Sequence, residues 1–118
     1  MITDINSIYV IDLEKEYSSV RGSLLRVSLE LATARAMGVA VVKIIHGKTE
    51  SGGVNYLGRQ VRTLLRREFH EKRLRMVICG ESYYRGNSMT DDLIENCAYV
   101  DRDPDLDDPT AAFTVVYI

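Results

Sequence analysis

The sequence has no apolar run approaching the roughly 18 residues of a membrane-spanning helix, so no membrane partner is expected. The stretch Met1-Ile2-Thr3-Asp4-Ile5-Asn6 lacks a basic region followed by an apolar one. No secretory signal is read there, and the expected location is cytoplasmic. Cysteine is scarce: Cys79 and Cys97 stand 18 apart, with no second Cys or His near either. That is not zinc spacing, and reduced, buried or half-buried thiols are expected. There is no surplus of one charge, since the net charge is −2, which alone argues neither for nor against nucleic acid. Repeats and low-complexity tracts are also absent. Gly47-Lys48-Thr49 invites comparison with a nucleotide P-loop. That motif needs a glycine where Val42 stands.

What is present fits one compact domain over residues 1–118, with a hydrophobic fraction of 46% that supports a core. Charge is unevenly spread. Residues 91–108 hold eight acids and one base, Arg102, whereas the other 100 residues hold 14 bases and nine acids. A basic body with a late acidic segment hints at charged partners, and the acidic stretch is expected to be a solvated loop. Asp101, Asp103, Asp105 and Asp107 imitate the start of a calcium loop. Leu106 and Ala112 replace the Gly and Glu that such a loop requires.

Residues 7–13, rich in β-branched and aromatic types, read as a first strand. Ser18 or Ser19 is a plausible cap for a helix from Val20 to a stop at Gly38, with a wide buried face that takes in Leu25, Leu29, Ala32 and Ala36. Residues 39–45 are almost continuously apolar, as in a strand covered on both faces. A second helix is expected over 54–71 and a third strand over 74–79, ended by Gly80. A short helix over 89–96 follows, capped by Ser88, and a closing strand over 114–118. Strands alternating with helices give an α/β fold, a two-layer sheet with right-handed parallel crossovers.

In such sheets ligands sit beyond the carboxyl ends of strands. The first two strands end in Asp12, Glu14, His46 and Lys48. Asp12 beside His46 would make an acid/base pair. Gly47, Ser51, Gly52 and Gly53 form a glycine-rich loop running into a helix N-terminus, which with Lys48 suits a phosphate. On that helix Arg59, Arg62 and Arg66 share one face beside the apolar stripe. Arg67, Lys72, Arg73 and Arg75 add charge towards its end. Such a face either is simply solvated or tracks phosphates, with Tyr56, Tyr83 and Tyr84 available for base stacking.

Ile11-Asp12-Leu13, the stretch Ile44-Ile45-His46-Gly47-Lys48, the Ser51-Gly52-Gly53 loop, the basic helix and the final Thr114-Val115-Val116-Tyr117 together resemble the Smr (small MutS-related) domain. The resemblance spans roughly residues 8–80 and the last eight. It implies a βαβαββ sandwich similar to the C-terminal domain of translation initiation factor three, here with an acidic insertion before the last strand. It also implies binding of DNA or RNA, with nicking endonuclease activity in some members. Carried over residue by residue, catalysis falls to Asp12, Glu14 and His46, and nucleic-acid contact to Gly47, Lys48, Ser51, Gly52, Gly53, Arg59, Arg62 and Arg66. Glu14 stands where the first motif has His, and Thr49 replaces the last glycine of the second. Glu14 with Asp12 would offer hard oxygen ligands to a divalent cation such as Mg²⁺. The alternative is a catalytically degenerate domain that binds a protein partner.

Overall fold

The computed structural model describes residues 6–15 and 19–118. Strand β1 is Tyr9–Asp12, helix α1 Val20–Ala36, strand β2 Val41–Ile45, helix α2 Tyr56–His70, strand β3 Met76–Cys79, helix α3 Ser88–Asn96 and strand β4 Phe113–Tyr117. A short 3-10 turn, Gly80–Ser82, follows β3, and another, Ala98–Arg102, follows α3. The chain is therefore α/β, with four strands among the described residues in the spatial order β1-β2-β4-β3. β1 and β2 run parallel in the register Asp12↔Ile45, while β4 lies antiparallel to both β2 and β3.

Local chemistry sets the boundaries. Ser19 caps α1, its hydroxyl accepting from Gly22 N–H; Ser18, the other candidate, lies outside the described residues. After α1 the chain reverses at Gly38, where φ is +78°. Asn87 caps α3 through the N–H groups of Met89 and Thr90. The expected cap, Ser88, is instead the first helical residue. Gly80 follows β3, and no larger residue fits there because a Cβ would lie 2.2 Å from the Thr110 carbonyl oxygen.

The pleat sends alternate residues of β2 to opposite faces, and both faces are covered. On one face Val42 and Ile44 join Val27, Leu31 and Ala34 of α1 and Val61 and Leu65 of α2 in one core. On the other, Val41 joins Val115, Phe113, Tyr83, Leu93, Val100 and Leu106 in a second. To the expected sandwich of sheet and paired helices the structure thus adds a cover over the second face, made by α3 and the acidic segment.

That segment is not the solvated loop the sequence suggested. Lys43, central in β2 and only 4% exposed, points into the second face. Its Nζ donates to Asp103 Oδ1 at 2.8 Å and to Asp105 Oδ2 at 2.6 Å. Tyr83 Oη donates to Asp103 Oδ2 at 2.7 Å. Burial and the Asp103 carboxylate both push the Tyr83 phenol well above its usual range. Arg85 pairs with Asp101 and Asp107 at the surface. A lone buried lysine is costly unless paired, and the acidic segment supplies the pair.

α1 also departs from expectation. Leu25 and Leu29 are each 60% exposed, and Ala32 and Ala36 are exposed as well. The buried face is the narrower one of Ser23, Val27, Leu31 and Ala34.

Candidate nucleic-acid interface

The parallel pairing of β1 with β2 brings Glu14 and His46 to one end of the sheet, as expected. A cleft of about 240 Å³ there is lined by Leu13, Glu14, His46, Asn55 and Leu57. Gly47, at φ +89°, passes between Glu14 and Asn55. A Cβ on it would meet Asn55 Nδ2 at 2.9 Å and Glu14 Oε2 at 3.1 Å. Asn55 holds this corner together: its Oδ1 accepts from Gly58 N–H at 2.8 Å as the cap of α2, and its Nδ2 donates to the His46 carbonyl at 2.9 Å. The sequence reading missed it, although an Asn just before a helical pattern is a cap signal.

Asp12 and His46 do not form the expected pair. Asp12 Oδ1 accepts from the N–H groups of Glu14 and Lys15, closing its own turn. His46 is 1% exposed. Its Nδ1 lies 3.0 Å from the Gly47 carbonyl oxygen and its Nε2 lies 3.0 Å from Thr114 Oγ1. A carbonyl only accepts, so Nδ1 carries the hydrogen and the Thr114 hydroxyl donates to Nε2. Burial is the main cause that lowers the His46 pKa from its ordinary value; the Gly47 carbonyl opposes it and Arg62 adds to it. Neutral His46 is therefore a structural member of the core. Gly58 lies against it so closely that a Cβ would sit 2.5 Å from His46 Nδ1. Among the described residues no group of three or more His, Cys, Asp or Glu side chains is placed to hold a metal ion.

Arg62 also turns inward. It is 5% exposed. Its Nε donates to Thr114 Oγ1 at 3.0 Å, and its Nη2 to the Phe113 carbonyl at 3.2 Å and to Glu81 Oε1 at 2.6 Å. The physical reason is position: Arg62 follows Val61 at the edge of the apolar stripe, where Thr114 and Glu81 satisfy a guanidinium. Burial pushes the Glu81 carboxyl up, but Arg62 outweighs it and leaves the group below its usual value. Arg62 is thus withdrawn from any phosphate surface, and so is Tyr83, which is fully buried.

The glycine loop is a small self-bonded hairpin. Lys48 pairs with Val54. Thr49 N–H donates to the Gly53 carbonyl, Gly52 N–H to the Thr49 carbonyl and Gly53 N–H to Thr49 Oγ1. Ser51 Oγ contacts Thr49 Oγ1 at 3.1 Å, and Gly47 N–H donates to the Ala112 carbonyl. These donors are spent on shaping the loop, and the side chains it exposes include the Lys48 ammonium and the Glu50 carboxylate.

What α2 does present is a row of free cations. Arg59, Arg66 and Arg67 are exposed, as is Lys48 just ahead of the helix. None of the four makes an ion pair among the described residues, whereas Lys43, Arg62, Arg73 and Arg85 all do. Arg59 stacks over the ring of Tyr56 at 5.8 Å, and Tyr56 is 58% exposed. Arg59 and Arg66 are two turns apart, roughly 10 Å along the axis. The acidic cover lies across the sheet from this helix.

No protein-family model matches the chain, and its sequence matches no curated protein. Among solved structures it is similar to the Smr domain of Thermus thermophilus MutS2, at 19% identity and a TM-score of 0.49, over 92% of this chain and 95% of that one.

Proposed function

We propose that this domain binds DNA or RNA by the phosphate backbone, with Lys48, Arg59, Arg66 and Arg67 as its contacts. One observation carries the proposal: among the described residues these cations stay exposed and without an ion pair, three along α2 and Lys48 in the loop before it, in a chain whose net charge is −2. Phosphate contacts dominate nucleic-acid affinity, and a helix row with an arginine stacked on an exposed tyrosine suits that use. The test is anisotropy binding to labelled stem-loop RNA and branched DNA, comparing the wild type with Arg59→Glu plus Arg66→Glu. Both side chains are solvent-exposed, so the fold should survive. Affinity at low salt should fall by at least roughly tenfold, and unchanged affinity would refute the proposal.

Hydrolysis through Asp12, Glu14 and His46 needs His46 to reach a substrate, and its two ring nitrogens are occupied inside the core. The proposal therefore rests on binding. The same complexes incubated with Mg²⁺ and run on a gel should stay intact, and a cut lost in His46→Gln would return His46 to catalysis.

A specific observation favours a protein partner as the second reading. Leu25, Leu29, Ala32 and Ala36 recur at spacings of four, three and four on the outward side of α1, and both leucines are 60% exposed. Leu25→Glu plus Leu29→Glu should abolish any association that depends on this stripe, as read by sedimentation.

A further inference from the structure

A cleft of about 360 Å³ opens beside the C-terminal half of α2, where the basic row ends. Phe69, Val77, Cys79 and Met89 give it an apolar lining, to which Arg66, His70 and Ser82 add polar groups. The pleat turns Val77 and Cys79 to the same side of the sheet as α2, and β3 is an edge strand. Phe69 is 44% exposed and Met89 40%. The ring of His70 meets that of Phe69 edge to face, with centroids 5.7 Å apart.

From this we infer that the cleft receives an unpaired nucleobase, stacked on Phe69 and flanked by Met89, while Arg66 holds the adjoining phosphate. The inference rests on the phosphate-binding proposal and names the class of nucleic acid it selects: strands with unstacked bases, over continuous duplex. Three features point to this occupant. Four of the seven lining residues, Phe69, Val77, Cys79 and Met89, are apolar, which suits a base better than a phosphate. The cleft offers a half-exposed aromatic ring and a polarisable thioether, which every base can use without sequence preference. Arg66 belongs to both the cleft and the cationic row, so a backbone tracking α2 arrives with a base beside Phe69. A blunt duplex keeps its bases stacked on one another and has no free face to offer.

The test compares a short labelled single strand with a blunt duplex of the same sequence, by anisotropy over a salt titration. The proteins are wild type, Phe69→Ala, Met89→Ala and Phe69→Trp. Wild type should prefer the single strand. Phe69→Ala should lose roughly 5- to 150-fold on the single strand, as expected for one stacked base, and little on the duplex, with its salt slope unchanged. Phe69→Trp should keep the preference, which a merely structural role for Phe69 would not explain. Equal binding of both probes, or a Phe69→Ala protein that keeps the preference, would overturn the inference and leave phosphate binding standing. No binding of either probe at low salt would overturn both. A protein or peptide ligand that competes at this cleft while single strands do not would also overturn it.

Discussion

Replacing Asp103 with alanine tests whether the acidic segment is a structural clamp. The Asp103 side chain is 4% exposed and that of Lys43 5%. The substitution leaves Lys43 with only Asp105, whose side chain is 46% exposed, and leaves the Tyr83 hydroxyl without its acceptor. Breaking a buried ion pair by removing one partner costs about 3–5 kcal/mol. The orphaned hydroxyl alone would cost about 1–3 kcal/mol, but the two share one site and do not add. A loss of about 3–5 kcal/mol is a large part of the roughly 5–15 kcal/mol that holds a domain folded. Asp101→Ala is the comparison. It breaks an ion pair with Arg85 whose side chains are 56% and 50% exposed, a solvent-screened contact that contributes little. Urea unfolding followed by far-ultraviolet circular dichroism separates the two, since the chain has no tryptophan to report. Lys43→Met combined with Asp103→Leu should recover the part of the loss that comes from the unpaired Lys43, because a packed apolar pair can replace a buried ionic one, while the Tyr83 hydroxyl stays without its acceptor. If Asp103→Ala costs no more than Asp101→Ala, the clamp is not a clamp.

Two further perturbations address the corner at His46. Because burial holds its folded-state pKa below the unfolded value, the unfolded chain binds the extra proton first. The stability tied to neutral His46 is then full above about pH 6.5 and is lost as pH falls through that value towards the folded pKa, at up to about 1.4 kcal/mol per pH unit; urea midpoints from neutral pH to about pH 5 should fall more steeply in the wild type than in His46→Gln, and parallel curves would contradict the buried neutral ring. Gly58→Ala would place a methyl 2.5 Å from His46 Nδ1 and 2.6 Å from Val54 Cγ2, so it should cost about 1–3 kcal/mol by overpacking, despite alanine's better helix propensity; a gain in the thermal midpoint would show that α2 does not press on the imidazole as closely as described.

The backbone plan was legible because it rests on local signals. Runs rich in β-branched and apolar residues located the four strands and helical spacing the helices, and Ser19 and Gly38 marked the ends of α1. The parallel pairing of β1 and β2 followed from β-α-β order. What was not legible depends on partners distant in sequence. Arg62 looked like Arg59 and Arg66 by spacing, yet its partners Glu81, Phe113 and Thr114 lie 19, 51 and 52 residues away. His46 looked available because nothing near it in sequence announces that Thr114 will cap its ring. One such partner does leave a signal in the sequence. Lys43 interrupts an apolar strand covered on both faces, and a lysine there demands an acidic partner. That demand could have identified the aspartates as its cover. Phe69 and Met89 gave no signal, since an apolar residue at helical spacing reads as core whether or not the core reaches it.

The most direct measurement of the central claim is the salt dependence of wild-type binding to a labelled nucleic acid. Four free cations on α2 and its leading loop predict a slope of log affinity against log salt of about −3.6 on duplex DNA and about −2.8 on a single strand. Arg59→Glu with Arg66→Glu should remove roughly half of either slope. A slope near zero, or one untouched by that double substitution, would contradict the assignment of α2 as the phosphate-binding face.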